Sequence, residues 1–327
     1  MRLKSPLGLI ASLVGACVLW AAVLGAPVAG AAAPEREMLT YMPTELIYSQ
    51  HSPQQVREEL SILDSFDIGQ ALLQMPRFAK TGLLKMPATE SEMIPLWASS
   101  ASAYDLEAGA DMSAVAVFNG NLGKRGPDLA QPGVRANMIS AVSSVLAMGV
   151  QGVQFDIEPF PETPGFIALL EEVRSVLSRG GFEGRLSVVA PSNITRWKPA
   201  YLRRVSELVD QLDPTYYDSE LPTPAAYEEW VKESLAYYTA NAAPTARIIP
   251  VIASYRKNAW HSPAVENIAT GTVAVGSALA AGSRANGAGI WWWYGFYDDE
   301  HGRYKDRYAA ADRSAWLTGT LALAFTP

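Results

Sequence analysis

Two carboxylates stand two residues apart at the end of the apolar run Gly149-Val-Gln-Gly-Val-Gln-Phe-Asp-Ile-Glu-Pro-Phe160. Valine, phenylalanine and isoleucine favour an extended strand, and Pro159, with no N–H to give a sheet ladder, ends it. Alternation along that strand puts Gln154, Asp156 and Glu158 on one face and Phe155 and Ile157 on the other. A buried carboxylate must find a partner or take up a proton, so two of them on an oily strand point to chemistry. The plain alternative is ordinary surface charge at a solvated strand end. The two acids lie about 6 to 7 Å apart along one strand and meet a substrate from the same side. That suits poorly a pair of carboxylates flanking a bond. It suits better a reaction in which Glu158 protonates a leaving oxygen and the substrate supplies its own nucleophile. Asp156 would hold that nucleophile and raise the pKa of Glu158 by like-charge repulsion.

Around this strand the chain alternates short apolar runs with longer helical patterns. Further strands are expected over residues 46–48, 68–75, 113–118, 185–191, 212–217, 248–255 and 289–294. Helices are expected over 52–63, 91–106, 132–148, 164–177, 199–209, 224–240, 263–281 and 313–324, several opening on a hydroxyl cap followed by proline. About eight strand–helix repeats in residues 34–327 predict a single (β/α)8 TIM barrel without a large insertion domain. No glycine-rich phosphate loop follows the first strand, which weakens the open doubly wound alternative. Catalytic groups of such barrels sit at the carboxyl ends of the strands. The polar residues there are Gln74, Asn119, Asp156, Glu158, Ser192, Asn193, Asp218 and Tyr255. Alternation lets one of Tyr216 and Tyr217 face the mouth, and the position next to Asp218 favours Tyr217. In Trp291-Trp292-Trp293 the last lies nearest the strand end, so Trp293 is assigned to the mouth as a flat platform for a sugar ring, and Trp291 and Trp292 to the core.

The first 33 residues combine Arg2 and Lys4 with an apolar run from Leu7 to Leu24 and Ala31-Ala32-Ala33 before Pro34. That is the layout of an export signal. Retention as a membrane anchor and lipidation at Cys17 are the alternatives. Cys17 is the single cysteine, so residues 34–327 have neither disulfide nor thiol chemistry. The net charge of −7 becomes −9 once Arg2 and Lys4 are lost with the leader. No basic face for nucleic acid is visible. His51, His261 and His301 lack metal-ligand spacing, and no metal or other cofactor is expected.

With these residues in view, the chain resembles glycoside hydrolase family 18, the chitinase-like hydrolases. The family's fourth-strand motif D-G-x-D-x-D-x-E is matched by Gln151-Gly-Val-Gln-Phe-Asp-Ile-Glu158. The resemblance implies that Glu158 is the proton donor and that Asp156 positions an acetamido group. The sixth-strand M-x-Y-D resembles Thr215-Tyr-Tyr-Asp218, which implies an acetamido contact for Tyr217 and a neighbouring wall at Asp218. The eighth-strand G-x-x-x-W resembles Gly289 to Trp293, the pocket floor. Weaker likenesses are residues 186–191 and 249–255. Both outer aspartates of the fourth-strand motif are glutamines here, Gln151 and Gln154. In the family the aspartate at position 154 shares a proton with the one at 156. A neutral Gln154 can hydrogen-bond Asp156 but cannot exchange a charge with it.

The expectation is an exported hydrolase that cleaves an N-acetylhexosamine-containing glycan with retention, in a shallow, open groove. Its partner is an oligosaccharide or polysaccharide, not nucleic acid, with membrane association through the N-terminal segment left open. The catalytic set is Glu158, Asp156 and Tyr217, with Gln154, Asn119, Asp218, Trp293, Tyr255 and Gln74 contacting substrate. Two rivals are a two-carboxylate glycosidase, with Asp218 or Asp156 partnering Glu158, and a non-catalytic sugar-binding barrel.

Overall fold

The helices start where local chemistry tells them to. Five of the described helices open on proline, whose fixed φ and missing N–H suit a first turn: α2 (Pro53–Ser65), α4 (Pro132–Leu146), α5 (Pro164–Arg179), α6 (Pro199–Leu208) and α7 (Pro224–Asn241). Ser52, Thr163 and Thr223 cap three of them by accepting the amides of Gln55 (3.2 Å), Phe166 (3.4 Å) and Ala226 (3.2 Å). Three more are α1 (Thr44–Tyr48), α3 (Ala88–Ala108) and α8 (Ile268–Ala280), and residues 314–319, the described part of the expected closing helix 313–324, are helical too. This computed structural model describes residues 37–122, 126–180, 185–254, 259–291, 293, 314–319 and 323.

Between the helices run parallel strands β1 (Glu37–Met42), β2 (Gln70–Gln74), β3 (Ser113–Asn121), β4 (Gly152–Glu158), β5 (Arg185–Pro191) and β6 (Gln211–Tyr216). The seventh, β7, pairs as two segments, Arg247–Ile248 and Val251–Ala253, interrupted at Ile249-Pro250. The eighth, β8 (Gly287–Trp291), pairs with both β7 and β1. Since β5 also pairs with β6, the sheet closes on itself. This is a single (β/α)8 TIM barrel, as expected. Closure brings β8 hard against β1: a Cβ at Gly287 would overlap the backbone carbonyl of Glu37, so only glycine fits that seam.

The barrel buries two apolar layers. The outer one lies between strands and helices and contains Phe118, Phe155, Phe166, Trp97 and Trp197. Phe118 and Phe155 stack at 5.7 Å, tying β3 to β4 from outside. Each such ring contributes roughly 1.5 to 3 kcal/mol by burial, so the outward half of β4 is anchored while its inward half is free to carry function. The inner layer, Leu39, Tyr41, Leu72, Val115, Val117, Val189, Ile249 and Val251, fills one side of the lumen.

Of the boundaries that differ from expectation, three bear on the barrel's course. Residues 46–48 form part of helix α1, not the first strand, which is Glu37–Met42. Three apolar residues carry no period, and Pro43 ends the strand and turns the chain, accepting the amide of Leu46 (3.1 Å). Helix α8 begins at Ile268, because Asn267 and Thr270 form a reciprocal cap there. Strand β8 ends at Trp291 instead of running on to residue 294. Among the described residues no helix is long and apolar enough to cross a membrane, and residues 7–24 lie outside them.

Candidate active site

Strand β4 carries Gln154, Asp156 and Glu158 into the lumen and up to its mouth. Its parallel neighbour β3 sets Asn119 opposite Asp156 and Asn121 opposite Glu158. Asn119 donates through Nδ2 to Gln74 Oε1 (2.8 Å) and to the Met75 carbonyl (3.0 Å), so Gln74 and Asn119 form a fixed pair beside Asp156. Asp156 is half-buried, and its Oδ1 is enclosed with no hydrogen-bond partner among the described residues. Burial, then the charge of Glu158, pushes its carboxyl up to about 7, with Arg77 acting against them. Glu158 opens to a cleft of about 500 Å³ whose walls include Phe160, Asn193, Arg196, Tyr217 and Asp218. Its carboxyl is raised by burial, lowered by Arg77 and raised again by Asp218. Like charges therefore meet at two points: Glu158 acts on Asp156, and Asp218, not foreseen in this role, acts on Glu158.

Tyr216 and Tyr217 divide as alternation requires. Tyr216 turns outward and donates to Ser234 Oγ (3.0 Å). Tyr217 turns inward, where burial and then the charges of Asp156, Glu158 and Asp218 raise its hydroxyl well above its ordinary value. It therefore stays protonated, a donor facing the acids. Asp218 follows in a left-handed conformation (φ 54°), a turn that costs a non-glycine residue and must be held in place. Glu266 holds it: its carboxylate accepts the amides of Asp218 and Ser219 (both 2.9 Å), while His261 Nδ1 lies 2.7 Å away. Burial raises the Glu266 carboxyl, but these hydrogen bonds outweigh it and hold it low.

The tryptophans reverse their expected roles. Trp293 is fully buried outside the barrel, its Nε1 donating to Glu59 Oε1 (2.6 Å) and its ring edge-on to Phe66 (6.3 Å). It is a packing residue and does not reach the mouth. The platform is Trp291, stacked on Tyr217 at 5.8 Å and 20° and edge-on to Tyr41 at 4.8 Å. Because β8 stops at Trp291, the alternation that would have placed Trp293 on the same face ends there; Gly287 to Trp291 has the same G-x-x-x-W spacing as Gly289 to Trp293. Gln154 also differs. Its amide turns away from Asp156 and donates to Asp213 Oδ2 (2.5 Å) and Ser187 Oγ (3.1 Å). Tyr255 lies outside the described residues.

Arg77, Asp213, Glu266 and Trp291 are site residues that sequence reasoning missed. Arg77 lies in a connecting segment with no periodicity to read, and Glu266, inside the expected helix 263–281, lies just before the observed one begins. Asp213 alternates correctly with Tyr217 and Gln211 on β6, and that pattern could have found it. Among the described residues no group of three His, Cys, Asp or Glu is arranged to hold a metal ion.

Fold and site together define a TIM barrel with two raised-pKa acids, a tyrosine donor and an aromatic floor at its mouth. No protein-family model matches the sequence, and no curated protein matches it. Solved structures do. The Ostrinia furnacalis Group IV chitinase in complex with allosamidin aligns at TM-score 0.59 and 13% identity, over 88% of this chain and 98% of that one. The catalytic domain of a family GH18 chitinase from the fern Peteris ryukyuensis aligns at 0.58 and 11%, over 86% and 100%. A xylanase and alpha-amylase inhibitor protein from Scadoxus multiflorus aligns at 0.56 and 13%, over 87% and 98%. At these identities the likeness is one of fold, shared by enzymes and an inhibitor alike; function must be argued from the site.

Proposed function

We propose that this protein is a retaining glycoside hydrolase that cleaves a glycan containing N-acetylhexosamine, with Glu158 as proton donor and the substrate's acetamido oxygen as nucleophile. The observation that carries the reading is that Glu158 and Tyr217 line one cleft, with the charge of Asp156 acting on Tyr217 from beneath and Trp291 stacked on the Tyr217 ring. A pyranose ring stacks on the indole, and Glu158 protonates the glycosidic oxygen as the bond breaks. The acetamido oxygen closes on the anomeric carbon, steadied by the Tyr217 hydroxyl, while ionised Asp156 accepts the acetamido N–H and offsets the positive charge that develops. Water then opens the cyclic intermediate with Glu158 as base, and the configuration is retained. The raised carboxyls of Asp156 and Glu158 share a proton toward neutral pH; in the free site Asp156, pushed up to about 7, holds it, and the step requires it on Glu158 once the acetamido N–H engages Asp156. The chitinases with this fold support the reading. The apolar leader makes the protein exported, a proposal that fractionation of cells producing it tests.

One observation favours a second reading. Asp218 reaches Glu158 electrostatically from the turn beyond β6, as the partner in a two-carboxylate glycosidase would. Hydrolysis of N-acetylglucosamine oligomers, and of the same oligomers without acetyl groups, separates the two. Cleavage of the acetylated set alone, falling at least about a hundredfold in Glu158→Gln, supports substrate assistance. Equal cleavage of both sets overturns it in favour of the second reading. Binding without cleavage by the wild type makes the barrel a sugar-binding protein.

A further inference from the structure

Most of the described arginines bond a carboxylate or a backbone carbonyl through the guanidinium. Arg196 is an exception, and it lines the catalytic cleft. Among the described residues its guanidinium has neither a hydrogen bond nor an ion pair. The side chain is exposed, yet the chain around it is fixed. Asn193 Oδ1 accepts the amide (3.0 Å) and the hydroxyl (2.7 Å) of Thr195, and the Asn193 carbonyl accepts the amide of Arg196 (3.0 Å), closing a turn just past β5. On the other side Trp197 is buried, its Nε1 donating to the carbonyl of Phe160 (3.3 Å), and Phe160 itself lines the cleft. A turn and a buried indole thus hold the backbone on both sides of Arg196 and leave its side chain at the cleft wall. Neither of them uses the guanidinium. Ser192 immediately precedes the turn and lines the same cleft, and its hydroxyl makes no hydrogen bond among the described residues.

The other cation near the acids differs: the charge of Arg77 opposes those of Asp156 and Glu158. Asp218 shares the cleft with Arg196, and no ion pair joins the two. In water an exposed guanidinium needs no partner. Once a sugar fills the cleft it loses water, and then an anion must compensate it. A carboxylate fits its planar fork with two parallel hydrogen bonds, and the Ser192 hydroxyl is a further donor beside it. The net charge of −7 repels an acidic polymer only weakly at a distance, because salt screens exposed charges beyond about 8 Å. Glu158 meets the glycosidic oxygen protonated, so among the described residues the cleft wall then carries one anion, Asp218, and one cation, Arg196.

We propose that Arg196, with Ser192 beside it, is a specificity residue that binds a carboxylate on the substrate, and that the glycan is therefore acidic: a polymer in which N-acetylhexosamine neighbours a sugar bearing a carboxyl group. The inference rests on the glycosidase reading of the cleft and names the substrate class within it.

The test uses the full-length chain and two pairs of glycan strands. One strand alternates N-acetylglucosamine with its 3-O-lactyl ether, the other alternates it with glucuronic acid. Each is compared with the same strand after its carboxyls are reduced to alcohols. The expected result is a kcat/KM at least about tenfold higher on the acidic strand of one pair than on its reduced partner, read mainly in KM, since the contact is made in ground and transition state alike. In Arg196→Gln that ratio should fall to about one, and in Arg196→Lys, which keeps the charge and loses the fork, it should lie between. The pair that shows the preference tells whether the carboxyl stands on an ether arm or on the ring's own side carbon. Arg196 is exposed and its side chain bonds nothing in the fold, so both variants stay folded. Equal turnover of acidic and reduced strands in both pairs overturns the proposal, and so does a preference that survives in Arg196→Gln. Calorimetric binding to the same strands separates the proposal from the hydrolase reading. A preference in affinity that depends on Arg196, with no strand cleaved, keeps the carboxylate site and removes the glycosidase. Cleavage of every strand without preference does the reverse, and neither binding nor cleavage of any strand overturns both.

Discussion

Replacing Asp156 by asparagine tests the electrostatics of the site without changing its shape. The Asp156 carboxyl is pushed from an ordinary 3.8 to about 7, first by burial and then by Glu158. In the unfolded chain it ionises near its ordinary value. Between about pH 4 and pH 7 the folded state therefore holds a proton that the unfolded state has released. Stability falls as pH rises through that window, and the full cost is present above it. Three pKa units at about 1.4 kcal/mol each give an upper bound of about 4 kcal/mol. Asp156 is only half-buried, and solvent screening reduces this to roughly 2 kcal/mol. The asparagine side chain carries no charge and escapes the cost. Urea unfolding followed by tryptophan fluorescence should show Asp156→Asn equal to wild type or slightly weaker near pH 4.5, and more stable by roughly 2 kcal/mol near pH 8. Hydrolysis should be lost at both. A stability difference that does not change with pH would refute the reasoning, because Asp156 would then titrate alike in both states.

The tryptophan assignment predicts opposite outcomes for neighbours two residues apart. Trp291→Ala should raise KM for oligosaccharides at least about tenfold by removing the ring that backs Tyr217, whereas Trp293→Phe should leave KM unchanged and cost about 1 to 2 kcal/mol through loss of the buried Nε1 bond to Glu59. Steady-state kinetics and denaturant melts on both variants check this, and an unchanged KM in Trp291→Ala would remove the ring from the site. Glu266→Gln should loosen the turn that presents Asp218, costing roughly 2 to 3 kcal/mol for the lost charge-assisted bonds and lowering activity. If that variant melts and turns over like wild type, the clamp is not what holds the turn.

Strand and helix periods, proline at first turns and hydroxyl caps were enough to predict eight repeats and a closed barrel, and they located β5 (Arg185–Pro191) to the residue. They also put Gln154, Asp156 and Glu158 on one face and chose Tyr217 over Tyr216. These are local properties, since a side chain's direction on a strand depends only on the parity of its position. Where a strand stops is less local: β8 ends at Trp291, so parity named the wrong tryptophan. Gln74 and Asn119 were each legible as mouth residues, but their mutual hydrogen bond follows from the β2–β3 register. The partner of Gln154 was beyond any local rule. Asp213 lies two strands away, and only the registers of β4 on β5 and of β5 on β6 bring it within reach. Burial there is also a property of the closed barrel, and burial is what raises both Asp156 and Asp213. The sequence by itself determined which residues face inward; tertiary structure decided which of them meet and how much water they lose, and that sets their protons.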